Sequence, residues 1–77
     1  MAVVEAYIVG KKITILFPKG YVYLLEKGDY DNFRKILTEK GFKKEGEYVY
    51  TLKCSNPKDA IYDLKRYMGI RVREFII

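Results

Sequence analysis

The chain has 77 residues, of which 49% are hydrophobic and 32% are charged, and its formal net charge is +5. This length predicts a single domain over 1–77, and the high apolar content excludes an intrinsically disordered chain. The only cysteine, Cys54, excludes an intrachain disulfide. Small secreted domains usually depend on disulfides, and we find no signal peptide and no bilayer-length apolar run. We therefore expect a soluble, cytoplasmic protein.

The charge and residue usage also bear on partners and source. A surplus of positive charge favours polyanionic partners in general, without identifying one. The chain has no His and no Trp, while Lys and Glu are abundant. Such a bias is typical of heat-adapted proteins, so the composition predicts a thermophilic source.

The first part of the chain is predicted to form a β-hairpin. Residues 3–9 and 13–17 are rich in β-branched side chains, and Gly10-Lys11 between them has the composition of a turn. After Pro18-Lys19-Gly20, residues 21–25 indicate a third strand, although Leu24–Lys27 is also compatible with the start of a helix.

A first helix is predicted from Asp29 onwards. Asp29 is a plausible N-cap, Lys40 would lie in the last turn, and Gly41 can adopt the left-handed conformation that ends a helix. The apolar positions then recur at helical spacing, namely Tyr30, Phe33, Ile36 and Leu37.

A strand and a second helix are predicted next. The strand covers 47–54, and Phe42–Lys44 can pair with it through a tight turn at Glu45-Gly46. Asn56 and Pro57 are the expected N-cap and first position of the helix, and Gly69 is expected to close it. Its apolar stripe consists of Ala60, Ile61, Leu64, Tyr67 and Met68. Residues 70–77 are predicted to form the final strand.

The resulting order, ββ(β)-α-β(β)-α-β, predicts an α+β fold. We expect a small, mostly antiparallel sheet of four to five strands with two helices on one face. From residue 29 onwards, the α-β(β)-α-β layout resembles part of the ferredoxin-like arrangement, a resemblance that implies no function. The predicted core consists of Val4, Ile8, Ile13, Ile15, Phe33, Ile36, Leu37, Leu52, Ile61, Leu64 and Met68.

The sequence contains no recognisable catalytic, cofactor or metal motif. Activating Cys54 as a nucleophile would normally require a histidine, and none is present. Phosphate-binding glycine motifs are also missing. The carboxylate pairs Asp29/Asp31 and Asp59/Asp63 are interpreted as helix-capping and solvated residues rather than as metal ligands. We therefore expect a non-catalytic protein that needs no cofactor.

The candidate site is a set of basic strand residues. Because strand residues alternate between faces, Arg71 and Arg73 share one side of the last strand, Lys53 lies with Val49 and Thr51, and Lys12 lies with Thr14. If these sides coincide, one sheet face can contact phosphates and stack bases. The sequence thus predicts binding of DNA or RNA, with the two not distinguished, through Arg71, Arg73, Lys53 and Lys12.

Three alternatives compete with this interpretation. The same residues would suit an ordinary solvated sheet face, and the surface of Arg34–Lys44 is a second basic candidate. The third is a protein–protein module acting as a homodimer. The apolar ending Phe75-Ile76-Ile77 needs a cover, which either the early hairpin folded over it or a second subunit would supply.

Overall fold

The computed structural model describes residues 3–17 and 27–75, which form one mixed sheet and two helices. The elements are β1 (Val3–Val9), β2 (Lys12–Leu16), α1 (Lys27–Glu39), β3 (Lys43–Gly46), β4 (Val49–Lys53), α2 (Pro57–Leu64) and β5 (Gly69–Phe75). The α+β class is confirmed. The strand predicted at 21–25 and the last two residues of the predicted final strand lie outside the described residues. None of the described helices combines the length and apolar character needed to cross a bilayer.

The sheet order is β3-β4-β2-β1-β5. Three of the four strand pairings are antiparallel, and β5 pairs with β1 in parallel. The ferredoxin-like arrangement is not confirmed. The hairpin β1–β2 lies within the sheet, so it does not fold over the face that carries Phe75, as one alternative required.

Both helices pack against the same face of the sheet. Helix α1 buries Phe33 and Leu37, and α2 buries Ile61 and Leu64. These side chains belong to one core cluster with strand residues Val4, Ala6, Ile8, Ile13, Ile15 and Tyr50, together with Phe17 and Phe42. Every predicted core residue lies in this cluster or, for Ile36, Leu52 and Met68, packs partly buried against it. Four further core residues were not predicted from the sequence, namely Ala6, Phe17, Phe42 and Tyr50.

After helix α1, Gly41 adopts the left-handed conformation that ends a helix, as predicted. Gly41 has a φ of +94°, in the left-handed region. The Phe42 N–H donates to the Leu37 carbonyl (2.9 Å), and the Gly41 N–H donates to the Thr38 carbonyl (3.1 Å). This pair of bonds is the Schellman motif, and burial of both Phe42 and Leu37 supplies the apolar contact that accompanies it. The motif directs the chain from α1 into β3.

The start of α1 and the β3–β4 turn differ from the predictions. Asp29 lies inside α1, which includes Lys27 and Gly28 before it, so it is not the N-cap. The β3–β4 turn falls at Glu47-Tyr48 instead of Glu45-Gly46, and the pairing shifts register between Lys44 and Gly46, where β3 has one residue more than β4.

Helix α2 begins as predicted but is shorter. Asn56 occupies the N-cap position, yet its side-chain amide donates to the Asp59 carboxylate (2.7 Å) and makes no capping bond. The helix ends at Leu64, well before Gly69, which begins β5. Tyr67 is therefore outside the helix and 49% exposed instead of buried in its apolar stripe.

Candidate nucleic-acid interface

The sheet has one face without helices, which we call the open face. In β1, Val4, Ala6 and Ile8 are buried under the helices, so Glu5 and Tyr7 lie on the opposite side. The strand register extends this face to the neighbouring strands, because directly paired residues share a side. Its members are Glu5, Tyr7, Val9, Lys12, Thr14, Leu16, Lys43, Val49, Thr51, Lys53, Arg71, Arg73 and Phe75.

All four predicted binding residues lie on the open face. Lys53 pairs with Lys12, which pairs with Val9, which pairs with Phe75, so these residues form one row across the sheet. With strands about 4.8 Å apart, this row spans roughly 14 Å from Lys53 to Phe75.

Arg73 and Arg71 occupy the next two rows. Arg73 pairs with Tyr7, and Arg71 pairs with Glu5. The predicted site therefore has two parts, with the lysines on β2 and β4 and the arginines on the edge strand β5. The condition set by the sequence analysis, that the basic sides of these strands coincide, is met.

An aromatic pair lies beside the arginines, with Tyr7 on β1 and Phe75 on β5. The Tyr7 and Phe75 rings are nearly parallel, with centroids 5.9 Å apart and an interplanar angle of 10°. The Tyr7 hydroxyl donates a 2.6 Å hydrogen bond to Glu5 Oε2, which fixes the ring and raises the pKa of the tyrosine hydroxyl. Phe75 remains 49% exposed. The face thus presents an oriented aromatic ring to solvent.

The open face has more cations than anions. Its basic residues are Lys12, Lys43, Lys53, Arg71 and Arg73. No ion pair joins any of them to another residue within the part of the chain that the structure describes.

The carboxylates near these cations bind hydroxyl groups. Glu5 accepts the bond from Tyr7, and Glu45 accepts a 3.1 Å bond from Thr51 Oγ1. Each carboxylate therefore has a neutral hydrogen-bond partner on the sheet. The negative charge of these carboxylates offsets the positive potential of the lysines and arginines only in part.

The alternative basic surface on α1 is more extensively paired. Arg34 donates to the Tyr50 hydroxyl (2.9 Å) and lies 3.8 Å from Asp31. Lys40 forms a 2.7 Å ion pair with Asp63 at the end of α2. Two cations of this surface, Arg34 and Lys40, therefore already have partners on the protein.

A surface depression extends the lysine part of the open face. Its volume is about 480 Å³, and three lysines line it, Lys11, Lys12 and Lys53. Cys54 also lines it, and its backbone N–H donates to the Lys11 carbonyl (2.9 Å). Cys54 is partly buried and packs against the core cluster.

Two members of the open face, Tyr7 and Lys43, were not predicted from the sequence. The signal for Tyr7 was present, because Tyr7 alternates with the apolar residues Ala6 and Ile8 of the same strand. Lys43 could not be assigned, since its side depends on the β3–β4 register, which contains an irregularity.

Among the described residues, no group of three His, Cys, Asp or Glu side chains is arranged to hold a metal ion. Asp59 and Asp63, considered above as a carboxylate pair, bind Asn56 and Lys40 instead. No protein-family model, curated protein or solved structure matches the chain.

Proposed function

We propose that the protein binds nucleic acid through the open face of its sheet and catalyses no reaction. The observation behind this proposal is the convergence of Lys12, Lys53, Arg71 and Arg73 on one face. These cations have no ion-pair partner among the residues that the structure describes, so they can neutralise phosphates and release the counterions of a nucleic acid.

An ordinary solvated face is the competing explanation. Such a face usually mixes charges of both signs and pairs them, as the helix side does with Lys58 and Glu74 (3.6 Å). The open face instead has cations that form no ion pair within residues 3–17 and 27–75, and they surround Phe75, an apolar ring that gains nothing from facing water. This combination favours a binding surface.

Binding of a labelled oligonucleotide over a range of salt concentrations tests the proposal. The variant is Arg71→Gln/Arg73→Gln. The matched control is Lys35→Gln/Lys65→Gln, which removes the same charge from two exposed positions on the helix side. If both arginines contact phosphates, the slope of log K against log salt falls by about 1.4 for a single strand or about 1.8 for a duplex.

The two double variants separate a site from general charge attraction. We expect weaker binding and a shallower slope for the arginine variant, and a much smaller change for the control. Equal losses in both would show that net charge alone drives binding. Absence of binding by the parent protein at low salt would reject the proposal.

A homodimer is the second candidate, favoured by the exposed apolar side chains Val9 and Phe75 on the open face. Pairing of two β5 edges is the less favourable form. A twofold axis centred on Arg71, Val72 or Arg73 brings an arginine opposite an arginine of the other copy, and like charges directly opposite are destabilising. A dimer would therefore use the open face itself.

Sedimentation at micromolar concentrations tests the dimer, comparing the parent with Phe75→Glu. A parent dimer that becomes a folded monomer on substitution would place the interface on the open face. A parent that sediments as a monomer of 9.1 kDa at every concentration would exclude it.

A further inference from the structure

We infer that the ligand of the open face is a single strand, with a base stacked on Phe75 and phosphates bound by Lys12, Lys53 and Arg73. This inference rests on the proposed function and specifies its ligand. It follows from the aromatic pair, from the width of the face, and from the positions of the cations around the ring.

Phe75 has the properties of a base-stacking side chain. Its ring is half-exposed, and it lies nearly parallel to the Tyr7 ring, which the bond to Glu5 holds in place. Sheet faces of RNA-binding modules and grooves of single-strand-binding proteins use aromatic rings in this way, because every base has a π-face. In a duplex the base faces are stacked on one another and are not accessible to such a ring.

The width of the face argues against a duplex. Five strands at about 4.8 Å spacing form a surface roughly 19 Å across, whereas the major groove of B-DNA is about 12 Å wide and admits a helix or a two-stranded ribbon. The open face cannot enter either groove. It would touch a duplex only through phosphates, leaving Phe75 without a partner.

The cations lie on two sides of the ring. Arg73 is two residues from Phe75 on β5, roughly 7 Å away along the strand. Lys12 and Lys53 lie in the same row as Phe75, about 10 and 14 Å across the sheet, where the lysine-lined depression begins. A strand crossing the sheet can therefore place a base on Phe75 while its phosphates meet Arg73 and the two lysines.

The test compares labelled oligothymidine and oligouridine with a DNA duplex of equal total charge. Phe75→Ala should weaken single-strand binding roughly 5- to 150-fold, the equivalent of the ~1–3 kcal/mol that one stacked base contributes. Its salt slope should not change, because no phosphate contact is removed. Phe75→Tyr should retain binding, and Tyr62→Ala, which removes a 73% exposed tyrosine from the helix side, serves as the control.

A fluorescence measurement gives a second, direct readout. The chain contains no tryptophan, so Phe75→Trp introduces a single tryptophan, which can be excited selectively above the tyrosine absorption, at the proposed stacking position. Its emission should be quenched as a single strand binds, with the same midpoint as the anisotropy change. A Tyr62→Trp variant should show no such quenching.

The outcomes distinguish this inference from the proposed function. If the duplex binds at least as tightly as the single strands and Phe75→Ala changes nothing, the single-strand inference is wrong. In that case, loss of binding in Arg71→Gln/Arg73→Gln would still support the open face as a nucleic-acid site. Binding unaffected by either the arginine variant or Phe75→Ala would overturn both.

Discussion

Leu64→Ala should destabilise the protein strongly, because Leu64 is one of the side chains that attach α2 to the sheet. It lies at the end of α2, is only 1% exposed, and belongs to the single core cluster. Truncation removes three carbons from a site within a core cluster that also contains side chains of the sheet and of α1. The surroundings can therefore relax only partly into the space.

The expected loss is a large fraction of the total stability. Truncating a buried leucine to alanine costs about 2–5 kcal/mol, whereas a domain of this length has a total stability of roughly 4–12 kcal/mol. For a domain of this size, 1 kcal/mol shifts the melting temperature by about 4–8 °C. A loss of about 3 kcal/mol therefore corresponds to a decrease of roughly 12–24 °C.

Thermal and urea denaturation followed by circular dichroism measure this effect. Tyr62→Ala is the matched control, since Tyr62 lies on the same helix with 73% of its surface exposed and should change stability little. If Leu64→Ala melts within a few degrees of the parent, or if both variants lose similar stability, the assigned buried face of α2 is wrong.

Two further predictions concern the glycine turn and the ion pair between Lys40, which follows α1, and Asp63 of α2. Gly41→Ala should cost about 1–2 kcal/mol because its φ is +94°, whereas Gly46→Ala, with ordinary backbone and a nearest contact of 3.8 Å, should cost less; urea denaturation that ranks them in reverse would contradict this. The hydrogen bond from Lys40 lowers the pKa of Asp63, so this pair stabilises the fold above the ordinary carboxyl pKa, and its effect is lost as the pH falls through the lowered value. Asp63→Asn should therefore lower the melting temperature at neutral pH by an amount that shrinks on acidification, and a difference independent of pH would refute the assignment.

Local periodicity predicted which residues build the core, but long-range pairing decided how the strands meet. The helical spacing of Phe33 and Leu37 and the alternation in β1 each depend on a few neighbouring residues, and both were confirmed. The turn at Glu47-Tyr48 was missed because the irregularity in β3 depends on its pairing with β4. Tyr50 was missed as a core residue because its burial depends on contacts far along the chain, including the bond from Arg34 and an edge-on packing with Phe17.

The candidate site, like the core, was predictable from the sequence only as far as local patterns reach. Alternation within each strand was enough to place Arg71 with Arg73, and Lys53 with Thr51. Only the register between strands could show that these sides form one face, and β1 provides the link, since it pairs with β2 on one side and β5 on the other.

The helix-covered face of the sheet contributes to the core, whereas the proposed binding uses the open face. In β1, Ala6 and Ile8 pack under the helices, while Tyr7 between them belongs to the open face. Arg73 is exposed and Phe75 is half-exposed, and neither belongs to the core cluster, so substitutions at these positions should leave the core intact. A variant that loses nucleic-acid binding can therefore keep the melting temperature of the parent, whereas Leu64→Ala should weaken binding only to the extent that it unfolds the protein. Measuring both properties on the same set of variants tests the separation directly, and a stability loss at Phe75 as large as that at Leu64 would show that the open face is part of the core or of an interface between copies.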